Sequence, residues 1–268
     1  MPDPSTGYPF SESTATRRVS APCRAACAVT DRGQVRRHNE DTFHVNVDGT
    51  VLIAADGLGG HAAGEVASEI STQFIAELIA SERELVREGS PDEIASLLVT
   101  ALHGAHEAVF DESKSDPSRA GMGTTLVVAV VSGGIAYVGH VGDVRGYVFG
   151  NDGLTQITDD HSPVGELVRA GRLSPEDARE HPEKHLITQA IGLEPGINPE
   201  LSEVDIVEGE SLLLCSDGLW EALPDEDITV ILSAADTPYT AAVTLTDAAN
   251  ERGGPDNITA VVYTRPRA

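Results

Sequence analysis

Residues 124–142 read TTLVVAVVSGGIAYVGHVG, and their reading decides the fold class. Two runs rich in Val, Ile, Thr and Tyr flank Ser132-Gly133-Gly134, a composition that favours strands on either side of a turn. So short a connection joins antiparallel neighbours, because parallel ones need a long crossover. The arrangement recurs on both sides. FHVNV (43–47) and TVLIAA (50–55) flank Asp48-Gly49, while RGYVFG (145–150) and LTQIT (154–158) flank Asn151-Asp152-Gly153. Both loops carry hairpin dipeptides.

Helical periodicity fills the gaps. Over 64–80, Val66, Ile70, Phe74 and Leu78 recur every four residues. Over 92–110, Ile94, Leu97, Leu98, Ala101, Leu102, Ala105 and Val109 form the same kind of apolar stripe. Segments 225–233 and 237–251 also read as helices, and NITAVVY (257–263) as a closing strand. Antiparallel strands interrupted by blocks of helix indicate an α+β fold. The expectation is a central β-sandwich with helices on both outer faces, four layers in the order αββα. Residues 161–186 break the pattern with mixed charges, Pro163, Pro175 and Pro182, and read as an inserted flap with two short helices. Residues 1–22, rich in Pro, Ser, Thr and Gly, read as a disordered leader ahead of one catalytic unit over 23–266.

Composition narrows the function. Lys plus Arg number 18 against 43 Asp plus Glu, a net charge of −25. Such a surface repels nucleic acid and anionic membranes, and aromatics at 4% are too few for a base-stacking platform. Phosphorylated substrates would be repelled as well, unless bound cations reversed the sign locally. Cys23, Cys27 and Cys215 lack the spacing of a zinc site, and Cys215 sits in the apolar run SLLLCSD as a core residue. Apolar runs such as LVVAVV (126–131) are too short to span a bilayer. A cytoplasmic monomer is expected.

The informative acids stand where strands end. VLIAA runs into Asp56-Gly57, SLLLCS into Asp217-Gly218, and AYVGHVG into Asp143; Asp41 and Asp256 stand just before strands. A carboxylate at a strand mouth has rigid support, and several such mouths can converge on one cleft. Converging carboxylates in a low-dielectric cleft require cations. Carboxylates without His or Cys select hard ions, magnesium or manganese. Two such ions can acidify a water for in-line attack on phosphorus.

The segments TDRGQVRRHNED (30–41), DGLGGHAAGEVAS (56–68), HVGDVRGY (140–147), CSDGLW (215–220) and GGPDNIT (253–259) resemble, in this order, the motifs of the type 2C protein phosphatases. The resemblance covers about 24–263. It implies a metal-dependent protein serine/threonine phosphatase whose β-sandwich is flanked by helices, acting on phosphorylated proteins and opposing a serine/threonine kinase. By position, Asp56 resembles the carboxylate bridging two core ions. Asp41 and the Gly57 carbonyl would lie on one side of it, Asp217 and Asp256 on the other. Asp143 with Asp217 resembles a third-ion site.

Arg36 stands where the family keeps its phosphate-binding arginine. His61, ahead of a helix, is the candidate acid for the departing oxygen. Asn39, Glu40 and Asn257 resemble residues that orient ligands and waters. Val144 and His185 depart from the family pattern without replacing a ligand. Two other readings remain: a phosphoprotein-binding pseudophosphatase, which should have lost a carboxylate, and a metal phosphodiesterase.

Overall fold

The computed structural model describes residues 10–14, 16–59, 62–194 and 196–267. The chain opens with β1 (Phe10–Ser13), β2 (Arg17–Cys23), β3 (Ala26–Asp31), β4 (Thr42–Val45) and β5 (Val51–Leu58). Helices α1 (Ala62–Ser81), α2 (Arg83–Glu88) and α3 (Pro91–Ser115) follow. Next come β6 (Gly123–Ser132), β7 (Ile135–Val141), β8 (Arg145–Gly150) and β9 (Gly153–Gln156), then α4 (Pro163–Arg169) and α5 (Pro175–Arg179). The last elements are β10 (Glu200–Asp205), β11 (Ser211–Cys215), α6 (Asp217–Trp220), α7 (Asp225–Ala234), α8 (Pro238–Glu251) and β12 (Ile258–Thr264).

The strands form two antiparallel sheets, one ordered β1-β2-β3-β12-β11-β8-β9 and the other β10-β7-β6-β5-β4. TTLVVAVV and IAYVGHV pair as the hairpin β6–β7, from Leu126 opposite Val141 to Ser132 opposite Ile135. Gly133 and Gly134 supply the positive φ of its turn.

Alternation along each strand builds the layers. In β5, Val51, Ile53 and Ala55 face outward into a core shared with α1 and α3, whereas Leu52 and Ala54 face inward between the sheets. In β12, Ala260 and Val262 face a second outer core with α7 and α8, and Val261 and Tyr263 face the sandwich interior. Both strand faces are covered, so these strands read as unbroken apolar runs. The four-layer αββα arrangement is the expected one. Helix α3 starts on a capping box, Ser90 with Glu93, and Pro91 occupies its first turn.

The expected leader is corrected in part. Arg17–Cys23 is a strand paired with β3, and Phe10–Ser13 pairs with it in turn. Val19 and Ala21 point into the outer core, and Arg17 bonds Asp31 and Asp247. Composition concealed this, because two apolar side chains and one well-paired arginine suffice on a strand near the sheet edge. Residues 1–9 of that leader lie outside the described residues. Within 161–186, α4 and α5 are the two expected short helices. No described helix is long and apolar enough to cross a membrane.

Candidate metal centre

Asp56 continues the inward-facing series of Leu52 and Ala54 past the apolar part of β5, so its carboxylate points between the sheets where they open. Its carbonyl accepts a 2.6 Å bond from the Thr124 hydroxyl on β6. Gly57 follows under tight constraint: a Cβ there would lie 2.3 Å from the Gly64 carbonyl oxygen and 2.6 Å from that of Glu40. Only glycine lets the first turn of α1 sit against the strand end and the Glu40 loop together.

Asp41 arrives from the β3–β4 loop and is 1% exposed. Its Oδ2 accepts from the Ser216 and Thr259 hydroxyls, each at 2.6 Å. Its Oδ1 is buried without a partner. Asp217 opens α6 just beyond β11, and its Oδ1 is likewise buried and unpartnered. Asp256 precedes β12; Oδ1 accepts from the Asn257 amide and Oδ2 from the Arg36 guanidinium at 2.5 Å. Asp143 follows β7, and its carbonyl accepts from Trp220 Nε1 at 3.0 Å.

Electrostatics show that these groups meet. Burial, then Asp41, Asp217, Asp143 and Asp256, hold the Asp56 carboxyl well above the usual carboxylate range. Burial, then Asp143, Asp256 and Asp41, does the same to Asp217. Asp143 is pushed up to about 7, by burial and then by Asp160. Asp41 rises to about 6 through burial, against the lowering effect of Ser216 and Thr259. Buried acids that resist ionisation, with two oxygens lacking any donor, fit a site built to be neutralised by divalent cations. Asp41 offers only Oδ1 toward such a centre, since Oδ2 is already committed.

Asn257 holds the loop that carries Arg36 and Asp41. Its Oδ1 accepts from the Glu40 amide at 2.8 Å, and its Nδ2 donates to the Arg32 and His38 carbonyls at 2.9 Å each. Asn39 bonds the Thr30 hydroxyl and accepts from the Asp41 amide. These two residues therefore hold the loop of Arg36 and Asp41 in place. Ser216, Thr259 and Trp220 escaped the sequence reading. A polar residue inside an otherwise apolar strand end, as in SLLLCSD and NITAVV, was the available signal for the first two. His61 lies outside the described residues.

Arg145 does not pair with Asp143. Its guanidinium grips Asp160 through two bonds, of 2.9 and 2.7 Å, and lies 3.6 Å from the centre of the Trp220 ring. This leaves the Asp143 carboxyl to the cleft.

Outside the aspartate site, His140, His161 and Glu200 bring possible ligand atoms within 4.8 Å of one another. His140 Nε2 lies 2.8 Å from the Asp159 carbonyl and must donate to it. His161 Nδ1 accepts from the Gly142 amide, which leaves its proton on Nε2. The nitrogens facing Glu200 thus carry protons instead of lone pairs, and the stacked pair acts as scaffold.

The description "Protein phosphatase 2C" belongs to the family whose profile matches residues 31–251. A serine/threonine phosphatase stp of Listeria monocytogenes is 37% identical over 239 residues, 88% of this chain and 94% of that one. The crystal structure of the Mycobacterium tuberculosis serine/threonine phosphatase PstP/Ppp superposes with a TM-score of 0.81 at 37% identity, covering 90% of this chain and 98% of that one. The PstP catalytic domain in complex with two manganese ions gives a TM-score of 0.78 at 35% identity, with coverage of 90% and 98%. By profile, by sequence and by fold, the chain belongs to the protein phosphatase 2C family.

Proposed function

We propose that the chain is a metal-dependent protein serine/threonine phosphatase. In this reading Asp56, the Gly57 carbonyl, Asp217 and Asp256 hold two core ions, Asp41 supports them through Oδ1, and Asp143 with Asp217 takes a third. The observation that carries the reading is the carboxylate cluster in which Asp41 Oδ1 and Asp217 Oδ1 are buried without a donor. Bound manganese or magnesium would neutralise that cluster and supply an acidified water for attack on phosphorus.

The chain's own residues do the rest. Ser216 and Thr259 fix the Asp41 carboxylate, so no reorientation is needed when substrate arrives. Arg36, at the rim, presents a planar fork suited to two phosphate oxygens. His61 is the candidate acid for the departing serine or threonine oxygen in this reading. The sheets exclude water from the back of the site through Leu52, Ala54, Val127 and Leu214.

A pseudophosphatase is disfavoured because all five carboxylates are present. The physiological opponent in this reading is a serine/threonine kinase. The test is hydrolysis of a phosphothreonine peptide by wild type and Asp56→Asn, each with manganese, with magnesium and after chelation. Turnover confined to metal-loaded wild type supports the proposal; equal turnover by metal-loaded Asp56→Asn overturns it. Faster turnover of a bis-ester than of the phosphopeptide would favour the phosphodiesterase reading instead.

A further inference from the structure

A chain of net charge −25 has gathered four arginines around one small cavity. Arg17, Arg18, Arg32, Arg37 and His38 line a space of about 280 Å³, with Glu65 as the one carboxylate among its described lining residues. Arg17 is neutralised by Asp31 and Asp247. The other three arginines have no carboxylate partner among the described residues. Arg18 gives one N–H to the Asp41 carbonyl at 3.1 Å and lies 5.7 Å from the Phe43 ring centre. Arg32 Nε is buried with no acceptor among the described residues. Three guanidiniums facing one cavity, none of them paired with an acid among the described residues, call for an anion from outside.

The cavity is lined by the same loop that carries Arg36 and Asp41. Arg36 turns to Asp256, while its neighbour Arg37 lines the cavity. Arg18 touches the backbone of Asp41 itself. Arg17 and Arg18 precede residue 31, where the family match begins, so the cavity is assembled partly outside the matched region. We infer that this is an accessory oxyanion subsite, which takes a second phosphate on the same phosphoprotein segment whose first phosphate occupies the metal centre. Guanidinium forks select planar carboxylates and tetrahedral phosphates, and a doubly charged phosphate gains most from three of them. Locally positive potential also offsets the repulsion between an acidic enzyme and an acidic substrate.

The inference rests on the phosphatase reading, and the experiment separates the two. Manganese-loaded full-length wild type, Arg37→Ala and Arg32→Gln are assayed on an aryl phosphate and on a singly phosphorylated peptide. The same peptide is also supplied with a second phosphate at successive positions on either side of the first. The subsite predicts a kcat/KM advantage of about tenfold for the best-placed second phosphate in wild type. Arg37→Ala should cut it to about twofold or less while leaving aryl phosphate turnover unchanged. Glu65→Gln should widen the advantage. Arg37 is exposed, so its loss should spare the fold, and melting temperatures check Arg32→Gln.

A wild type inert on the singly phosphorylated peptide would overturn the phosphatase reading. An active wild type with no preference, or a preference that survives Arg37→Ala and a folded Arg32→Gln, overturns the subsite alone. Inorganic phosphate is the other source of this chemistry. If it modulates aryl phosphate turnover through Arg37 while no peptide preference exists, the cavity binds a free anion and the substrate assignment falls.

Discussion

At the scale of single residues, Arg36 and Asp143 divide binding from turnover. Arg36 is half-exposed and bonded to Asp256, so it is a rim group able to exchange that contact for phosphate oxygens. Arg36→Ala should raise KM for a phosphopeptide by about tenfold and lower kcat much less, which steady-state kinetics would show. A fall confined to kcat would mean that the side chain acts in the transition state instead. Asp143 is different. Its carboxyl is buried, and the arginine two residues on is fully engaged by Asp160, so no ion pair is lost on its removal. Asp143→Ala should therefore fold, keep two bound ions and turn over phosphoprotein poorly. Metal analysis, melting temperature and turnover on one preparation decide this, and wild-type turnover at saturating manganese would remove Asp143 from the site.

At the scale of elements, the segment over 161–186 is tied down from several directions. Arg179 on α5 donates to the Trp220 and Leu223 carbonyls and pairs with Asp225. Lys184 pairs with Glu221, and Arg169 on α4 with Asp159 and Glu200. Releasing it with Arg179→Ala should weaken selection among phosphoproteins while aryl phosphate turnover changes by less than about twofold. Equal losses on both substrates would refute a selective role.

The base of this segment should also respond to acid. Burial, then His140 and Arg169, push His161 down to about 4, with Asp160 opposing; Glu200 lies 3.8 Å from its Nε2. An unfolded imidazole takes its proton near 6.5, so the unfolded chain binds more protons between those values. The contribution of His161 is complete above about pH 6.5 and is lost as pH falls toward 4. Melting temperature should drop over that window, and His161→Gln should flatten the drop by roughly 3 °C. An identical profile in the variant would clear His161 of the effect.

The same elements show what the sequence could and could not disclose. Strand mouths were legible because Val, Ile and Leu runs stop abruptly at Asp56 and Asp217. Strand β10 was not, since ELSEVD buries only alternate side chains partially, on a sheet edge. Strand β2 was hidden by leader-like composition. The grip of Ser216 and Thr259 on Asp41 joins residues 175 and 218 positions apart, a pairing that no local pattern encodes.

At the scale of the whole molecule, five acids crowded at the mouth of a sandwich conflict with stability, because like charges meet there and Asp41 is cut off from water. Exhaustive chelation should abolish phosphopeptide turnover and lower the melting temperature near neutral pH. Manganese or magnesium should restore both, without any need for zinc. Full activity after chelation would sink the metal assignment.

Strand β12 lies at the centre of the seven-stranded sheet, between β3 and β11, and Asn257 at its foot fastens the Arg36 loop 217 residues earlier. Without β12 the sheet has a gap at its centre, and Asp41 lacks the Thr259 hydroxyl. Until β12 docks, therefore, the acids and the arginine loop are not held in one site, and the closed sheet is the form in which that site is assembled.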